Sequence, residues 1–275
     1  MNFPRAKKRL GQNFLVDESY ARRIVAALGP RAGETLVEIG PGRGALTSLL
    51  LESGARVVAV EFDRELVAVL RERFGAREEF KLVEADALEV DFCAEVSPAT
   101  TARVVANLPY NISTAILQRL IERRRCLTEF VLMLQREVVE RITARPGSSE
   151  RGYLTVLVEA SCYSEALFDV PPGAFRPVPK VWSTVARLRV REEALSGLDE
   201  RLFTRLVSAC FAQKRKTIQN NLRNAPEEMR ALIEASGGAT RLLEAARVEP
   251  QRRAESLTLE EWTALANRLQ NRSRF

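Results

Sequence analysis

The chain of 275 residues contains no histidine. That absence excludes His-containing hydrolase triads, HExxH metalloprotease sites and any histidine general base. The four cysteines, Cys93, Cys126, Cys162 and Cys210, form no CxxC pair, so zinc-ligand spacing is missing as well and no metal is expected. Cysteines so scattered are expected as buried thiols in a reducing compartment, here the cytoplasm. No stretch approaches the roughly 18 apolar residues of a membrane span. The basic segment 1–15 has no apolar core, so neither a membrane anchor nor a secretory leader is expected. Internal repeats and low-complexity tracts are absent too.

What is present is a net charge of +6, unevenly spread. Residues 1–16 carry +4, residues 196–275 carry +4, and the middle carries −2. Positive charge at both ends of a near-neutral middle suggests a polyanion held by an N-terminal arm and a second domain. Arg5, Lys7, Lys8 and Arg9 are the candidates in the arm, and Lys214, Arg215, Lys216 and Arg223 those near the other end. The plainer reading is a basic surface that only keeps the chain in solution.

Between these ends, apolar runs alternate with helical patterns. Strands are expected at 35–39, 56–60, 80–83, 104–108 and 130–134. Helices are expected at 18–28, 45–52, 64–74, 114–122 and 137–144, with Asp17, Asp63 and Ser113 as caps. The alternation predicts βαβ units and a parallel sheet. Residues 153–163 read as either helix or strand. Residues 181–190 alternate as a late, antiparallel strand, and the chain beyond Gly197 is helical. The fold expected is therefore an α/β domain at 1–195 and a smaller all-helical domain at 196–275.

Chemistry collects where the strands end. Glu38-Ile39-Gly40-Pro41-Gly42-Arg43-Gly44 follows the first strand and opens a helix, a loop that lets backbone approach a nucleotide-type ligand. Gly40, Gly42 and Ala45 also fit a dinucleotide pattern, whereas Pro41 and Gly44 resemble the loop of S-adenosylmethionine-dependent methyltransferases. Glu61 lies 21 residues after Gly40, Asp86 25 further and Asn107 21 further again. Each closes a strand, so a parallel sheet brings all four to its carboxyl edge. There Glu61 can accept ribose hydroxyls and Asp86 can take an adenine amine. A lone carboxylate is more often a helix cap; four positions in register are harder to explain so.

Asn107-Leu108-Pro109-Tyr110 joins an amide, a kink and a ring. Proline removes a backbone donor and holds the preceding residue extended. The Asn107 side-chain oxygen and the Leu108 carbonyl are then acceptors for an exocyclic amine, with Tyr110 stacked on its heterocycle. Phe175, beside Pro177 and Pro179, is the candidate for the opposite face, or else a core aromatic beneath a loop. With no histidine, direct methyl transfer needs no covalent intermediate.

The chain resembles the ribosomal RNA adenine dimethyltransferase family, in particular its bacterial small-subunit members. The resemblance rests on Leu10 to Leu15, Val37 to Gly42, Asn107 to Tyr110, Gln135 to Val138, Phe175 to Ser183 and Phe211 to Thr217. It implies a Rossmann-like methyltransferase sheet with a helical RNA-binding domain. It implies S-adenosylmethionine contacts from Asn13, Leu15, Gly40, Gly42, Glu61, Asp86 and Asn107. It also implies a substrate, two adjacent adenosines near the 3′ end of 16S rRNA in the small subunit or its precursor, each dimethylated at N6 by a monomer. Leu10 and Gln213-Lys214 depart from the family's usual residues, which bears on RNA contacts more than on the reaction. The rivals are a large-subunit adenine methyltransferase of the antibiotic-resistance type, a nicotinamide oxidoreductase, and a nucleic-acid-binding assembly or transcription factor on the same fold.

Overall fold

Asp17 opens the first helix by accepting from the Ser19 amide, and Gly29 ends it in a left-handed conformation. Aspartate caps of the same kind recur at Asp63, Asp91 and Asp199 in this computed structural model, which describes residues 4–192, 195 and 197–270. Two compact units result: residues 1–139 with 164–190, and residues 140–163 with 191–275.

The first unit begins with a short strand β1 (Phe14–Leu15) and helix α1 (Glu18–Leu28). Then come β2 (Thr35–Ile39), α2 (Ala45–Glu52), β3 (Arg56–Glu61), α3 (Arg64–Phe74), β4 (Phe80–Glu84), α4 (Phe92–Glu95), β5 (Ala102–Asn107), α5 (Ser113–Glu122), β6 (Leu127–Gln135) and α6 (Arg136–Ile142). After α7 (Tyr153–Ser161) follow β7 (Cys162–Val170), β8 (Phe175–Arg176) and β9 (Ser183–Val190). The main sheet has the order β4-β3-β2-β5-β6-β9-β7, and β1 pairs antiparallel with β8. Strands β2 to β6 are parallel, while β9 runs antiparallel to β6.

The order reverses at β2, with β3 on one side and β5 on the other. Ligands enter parallel sheets at such a switch point, outside the carboxyl ends. The strands there are predominantly apolar because both faces are covered. Leu36, Val57, Val105 and Val131 pack with Ile24, Leu28, Leu46 and Leu50 in one buried cluster. Each such side chain contributes on the order of 1.5–3 kcal/mol by leaving water. The sheet is thereby a rigid base for the loops at its edge.

In the second unit, α7 joins α8 (Glu200–Phe211), α9 (Ile218–Arg223), α10 (Glu227–Ala235), α11 (Gly238–Ala245) and α12 (Leu259–Gln270). Val156 and Ala160 of α7 bury against Leu202, Phe203 and Leu206 of α8. This packing places 140–163 in the helical unit, so the observed division differs from a single cut at 195. The ambiguous segment 153–163 is mostly helix. The edge strand β7 was not expected, because its outward residues are polar or exposed and its alternation is weak.

One cysteine expectation is corrected. Cys93 and Cys126 are joined in a disulfide although 33 residues separate them. Helix α4 and the turn before β6 bring their Cα atoms to 5.5 Å, which residue spacing alone does not reveal. Cys162 and Cys210 are buried outside that disulfide, and burial pushes the Cys210 thiol up. Among the described residues no helix is long and apolar enough to cross a membrane.

Candidate active site

A cavity of about 290 Å³ opens at the carboxyl edge of the first unit. Asn13, Gly40, Glu61, Asp86, Asn107 and Tyr110 all line it. The regular spacing of the strand-end residues thus becomes a single site. Gly42 and Leu108 are also on its wall.

Gly40 has φ 64°, and a Cβ built on it would meet nothing within 4 Å. Any side chain here would project into free cavity space. Beside it, the buried carboxylate of Glu61 accepts from the Gly42 amide at 3.2 Å and from the Phe62 and Asp63 amides at 2.9 Å. Oε1 takes two of these bonds and Oε2 one, so Oε2 keeps a lone pair for a hydroxyl. Burial raises the Glu61 carboxyl against the pull of those amides. Asp86 accepts from the Leu88 amide through Oδ1, capping the turn after β4 and leaving Oδ2 to the cavity. Beneath the glycine loop lies Glu38, whose carboxyl burial pushes up to about 7. The Thr47 hydroxyl donates to it at 2.6 Å and opposes that rise. An adenosyl group fits these features: space over Gly40, an acceptor for a ribose hydroxyl at Glu61, and acceptors for an adenine amine at Asp86.

Asn107 ends β5 with its orientation held. Its Nδ2 donates to the Asn13 carbonyl at 3.1 Å, which leaves Oδ1 as a free acceptor. No described residue donates to the Leu108 carbonyl, while the Leu108 amide is tied to Met133 O at 3.2 Å. Tyr110 is half-buried, and its hydroxyl lies 2.7 Å from Ser183 Oγ at the start of β9. Burial raises the Tyr110 phenol, and the Ser183 hydrogen bond opposes the rise. The phenol is thus a tether that fixes the ring plane.

The N-terminal arm reaches the same cavity. Lys7 Nζ pairs with Asp63 Oδ1 at 2.6 Å and Glu65 Oε1 at 2.9 Å, and Gln12 donates to Asp63 Oδ2 at 3.0 Å. These contacts raise the Lys7 amine and lower the Asp63 carboxyl. Lys7 was expected on RNA phosphates; instead it fastens the arm to the first turn of α3. Arg5 and Arg9 are exposed, Arg9 at the cavity wall, and the side chain of Lys8 lies outside the described residues.

Two expected site residues are not brought to the cavity. Phe175 is fully buried and packs in the sheet's core cluster, paired in register with Leu15. It presents no face to a base. Leu15 joins the same core, because side chains alternate along β1 and only Phe14 points to the cavity wall.

In the second unit, Lys214, Arg215 and Lys216 stand exposed on the turn between α8 and α9. Buried Asn221 pins that turn: it accepts from the Gln213 amide at 3.1 Å and donates to its carbonyl at 3.2 Å. Arg223 is exposed at the end of α9. Sequence reading missed Asn221, Ser183 and Phe62, and took Asp63 only as the helix cap that it also is. Phe62 alone had a local signal: an aromatic directly after Glu61, 55% exposed on the cavity wall.

Comparison with known proteins adds an independent line. The family described as Ribosomal RNA adenine dimethylase matches residues 4–265. Ribosomal RNA small subunit methyltransferase A of Acidobacterium capsulatum is 45% identical over 269 residues, covering 97% of this chain and 92% of its own. The Pseudomonas aeruginosa protein of the same name is 43% identical over 266 residues, covering 96% and 95%. Among solved structures, a dimethyladenosine transferase from Plasmodium falciparum shares the fold, with TM-score 0.79 at 22% identity over 94% of this chain and 98% of that one. The 23S rRNA methyltransferase ErmE has TM-score 0.65 at 27% identity, covering 98% and 100%. With these similarities running the length of a chain whose strand ends converge on one cavity, the chain belongs to the ribosomal RNA adenine dimethylase family.

Proposed function

We propose that this chain transfers methyl groups from S-adenosylmethionine to N6 of two adjacent adenosines near the 3′ end of 16S rRNA, giving N6,N6-dimethyladenosine, in the small subunit or its precursor. The observation that carries the reading is the fixed amide of Asn107, whose free Oδ1 stands with the Leu108 carbonyl beside an adenosyl-sized cavity. S-adenosylmethionine, when bound, supplies an electrophilic sulfonium methyl. The cofactor would be held by Gly40, Glu61 and Asp86.

The amine of adenine is a weak nucleophile because its lone pair is delocalised into the ring. Asn107 Oδ1 and the Leu108 carbonyl accept its hydrogens and localise that lone pair toward the methyl donor; S-adenosylhomocysteine would be the leaving group, and the proton lost from the methylated nitrogen passes to water. Tyr110 stacks on the base, its plane held by Ser183. These residues position and preorganise; none is a strong base. An adenine within RNA must leave its stack to enter such a cavity. Arg5, Arg9, Lys214, Arg215, Lys216 and Arg223 are the proposed phosphate contacts.

The near-full-length identity to small-subunit methyltransferases favours that target over the large-subunit one carried by ErmE's name. The test is to incubate the protein with labelled methyl donor and unmodified small or large subunits, then identify the methylated nucleoside. Dimethyladenosine in small-subunit RNA is the expected result. Label confined to large-subunit RNA, or no label, contradicts the assignment.

A further inference from the structure

The loop between β8 and β9 has an exposed surface that the site above does not use. Val178, Val181 and Trp182 are 57%, 42% and 47% exposed. Lys180 of the loop and Arg176 at the end of β8 are exposed, and neither forms an ion pair among the described residues, although the Arg176 guanidinium donates to the Gly173 and Phe175 carbonyls at 3.1 and 2.8 Å. Pro177 and Pro179 restrict the backbone between these side chains. An indole left in water costs hydrophobic free energy, and a rigid, cationic loop around it is the chemistry that holds single-stranded nucleic acid.

The position of this loop is defined by the sheet. Strand β9 runs antiparallel to β6, so its first residue lies at the edge where the parallel strands end. Ser183 pairs in register with Gln135, the last residue of β6, and hydrogen-bonds Tyr110. The Trp182 carbonyl accepts from the Arg136 amide at 3.0 Å, so the backbone under the indole is anchored to α6. Asn107 is in register with Met133 and, across β6, with Val185, so Trp182 lies two strand spacings across and three residues along from it, roughly 14 Å. Ser183, the residue after Trp182, hydrogen-bonds the Tyr110 hydroxyl, so the loop borders the ring on which the target base is proposed to stack.

We infer that Trp182, with Lys180 two residues before it, is the stacking platform for an unpaired nucleotide near the target adenine. This rests on the proposed RNA substrate and adds a second base contact to it. Phe175, buried in the core cluster and paired with Leu15, does not serve as that platform. Trp182 is a binding residue: it grips the strand and leaves the reacting atoms to Asn107 and Leu108.

The chain has two tryptophans, and the other, Trp262, is fully buried in the second unit. Methyl transfer to unmodified small subunits should be measured for wild type, Trp182→Ala, Trp182→Phe and Lys180→Ala. Loss of a stacked base should raise KM for the subunit roughly five- to a hundredfold in Trp182→Ala. The maximal rate and S-adenosylmethionine affinity should stay within twofold, and Trp182→Phe should restore most of the loss. Lys180→Ala should raise KM less and weaken its salt dependence. Ultraviolet irradiation of wild type with the subunits should leave a nucleotide adduct on Trp182. Wild-type activity with an unchanged KM in Trp182→Ala overturns the platform alone. So does a fall in maximal rate at unchanged KM. No transfer to RNA by wild type takes down both the platform and the proposed function.

Discussion

The side-chain amide of Asn107 donates to the backbone carbonyl of Asn13 across 3.1 Å. The two residues are 94 positions apart, and this bond joins the N-terminal arm to the end of β5. It determines which end of the amide faces the cavity. Asn13 holds the arm's own turn by donating from Nδ2 to Gly11 O at 3.2 Å. Closure of the arm and orientation of the acceptor are therefore one structural event. Since the Asn13 contact uses backbone, Asn13→Ala is expected to reduce transfer less than any change at Asn107.

Tyr110 tests ring against hydroxyl. The ring faces the cavity, and among the described residues the phenol hydrogen-bonds Ser183. Tyr110→Phe and Ser183→Ala should each keep transfer within a few-fold of wild type. Tyr110→Ala should lose a stacked base, about 1–3 kcal/mol of substrate interaction. Steady-state kinetics on all three variants checks the order; equal losses in Tyr110→Phe and Tyr110→Ala would assign the phenol a chemical role.

The Lys7–Asp63 pair predicts an arm that helps retain the cofactor. Lys7→Ala should weaken S-adenosylmethionine binding several-fold and make it less sensitive to salt, with little change in unfolding temperature. Asp63 also caps α3 by accepting from the Glu65 amide at 3.1 Å. Asp63→Ala should therefore weaken the cofactor similarly and cost about 1 kcal/mol of stability besides. Calorimetric binding at two salt concentrations, alongside thermal unfolding, separates the two effects.

Gly40 and Gly33 form a matched pair. Both have positive φ, 64° and 79°, and a Cβ on either would meet no neighbouring atom. Only Gly40 lines the cavity. Alanine at either position should cost about 1–2 kcal/mol of stability from backbone strain. Gly40→Ala alone should abolish or sharply weaken cofactor binding. Equal cofactor affinities in the two variants would mean that Gly40 does not face the ligand.

Glu38 predicts a pH effect. Burial raises its carboxyl from 4.5 to about 7, so the native state holds a proton that the unfolded chain has released. Its contribution is complete below about pH 4.5 and is lost as pH rises through about 7. That rise corresponds to about 3 kcal/mol. Glu38→Gln should match wild type near pH 5 and gain on it by up to that amount near pH 8. Denaturant melts at both values test this; a difference that does not change with pH removes Glu38 as the source.

The parallel core was legible because apolar runs, caps and glycine stops agree locally at residues such as Asp17, Asp63 and Gly29. The shared cavity edge of Gly40, Glu61, Asp86 and Asn107 was legible because these residues recur once per βα unit. What failed depends on distance in sequence. Lys7 looked like a free cation until folding placed Asp63 beneath it, 56 residues away. Phe175 looked presentable because proline-rich loops are exposed, yet its strand pairs with β1 and buries it. Trp182 lies seven residues further along the same segment and is the aromatic left outside. The Cys93–Cys126 contact and the weakly patterned edge strand β7 likewise depend on packing partners that no local pattern specifies.

The most direct measurement concerns Asn107 itself. Methyl transfer from labelled S-adenosylmethionine to unmodified small subunits should be followed for wild type and Asn107→Ala, with cofactor affinity measured on the same preparations. Losing one preorganised acceptor should lower the maximal rate by about 10²–10³ while much of the cofactor affinity survives. Near wild-type formation of dimethyladenosine by Asn107→Ala would contradict the account.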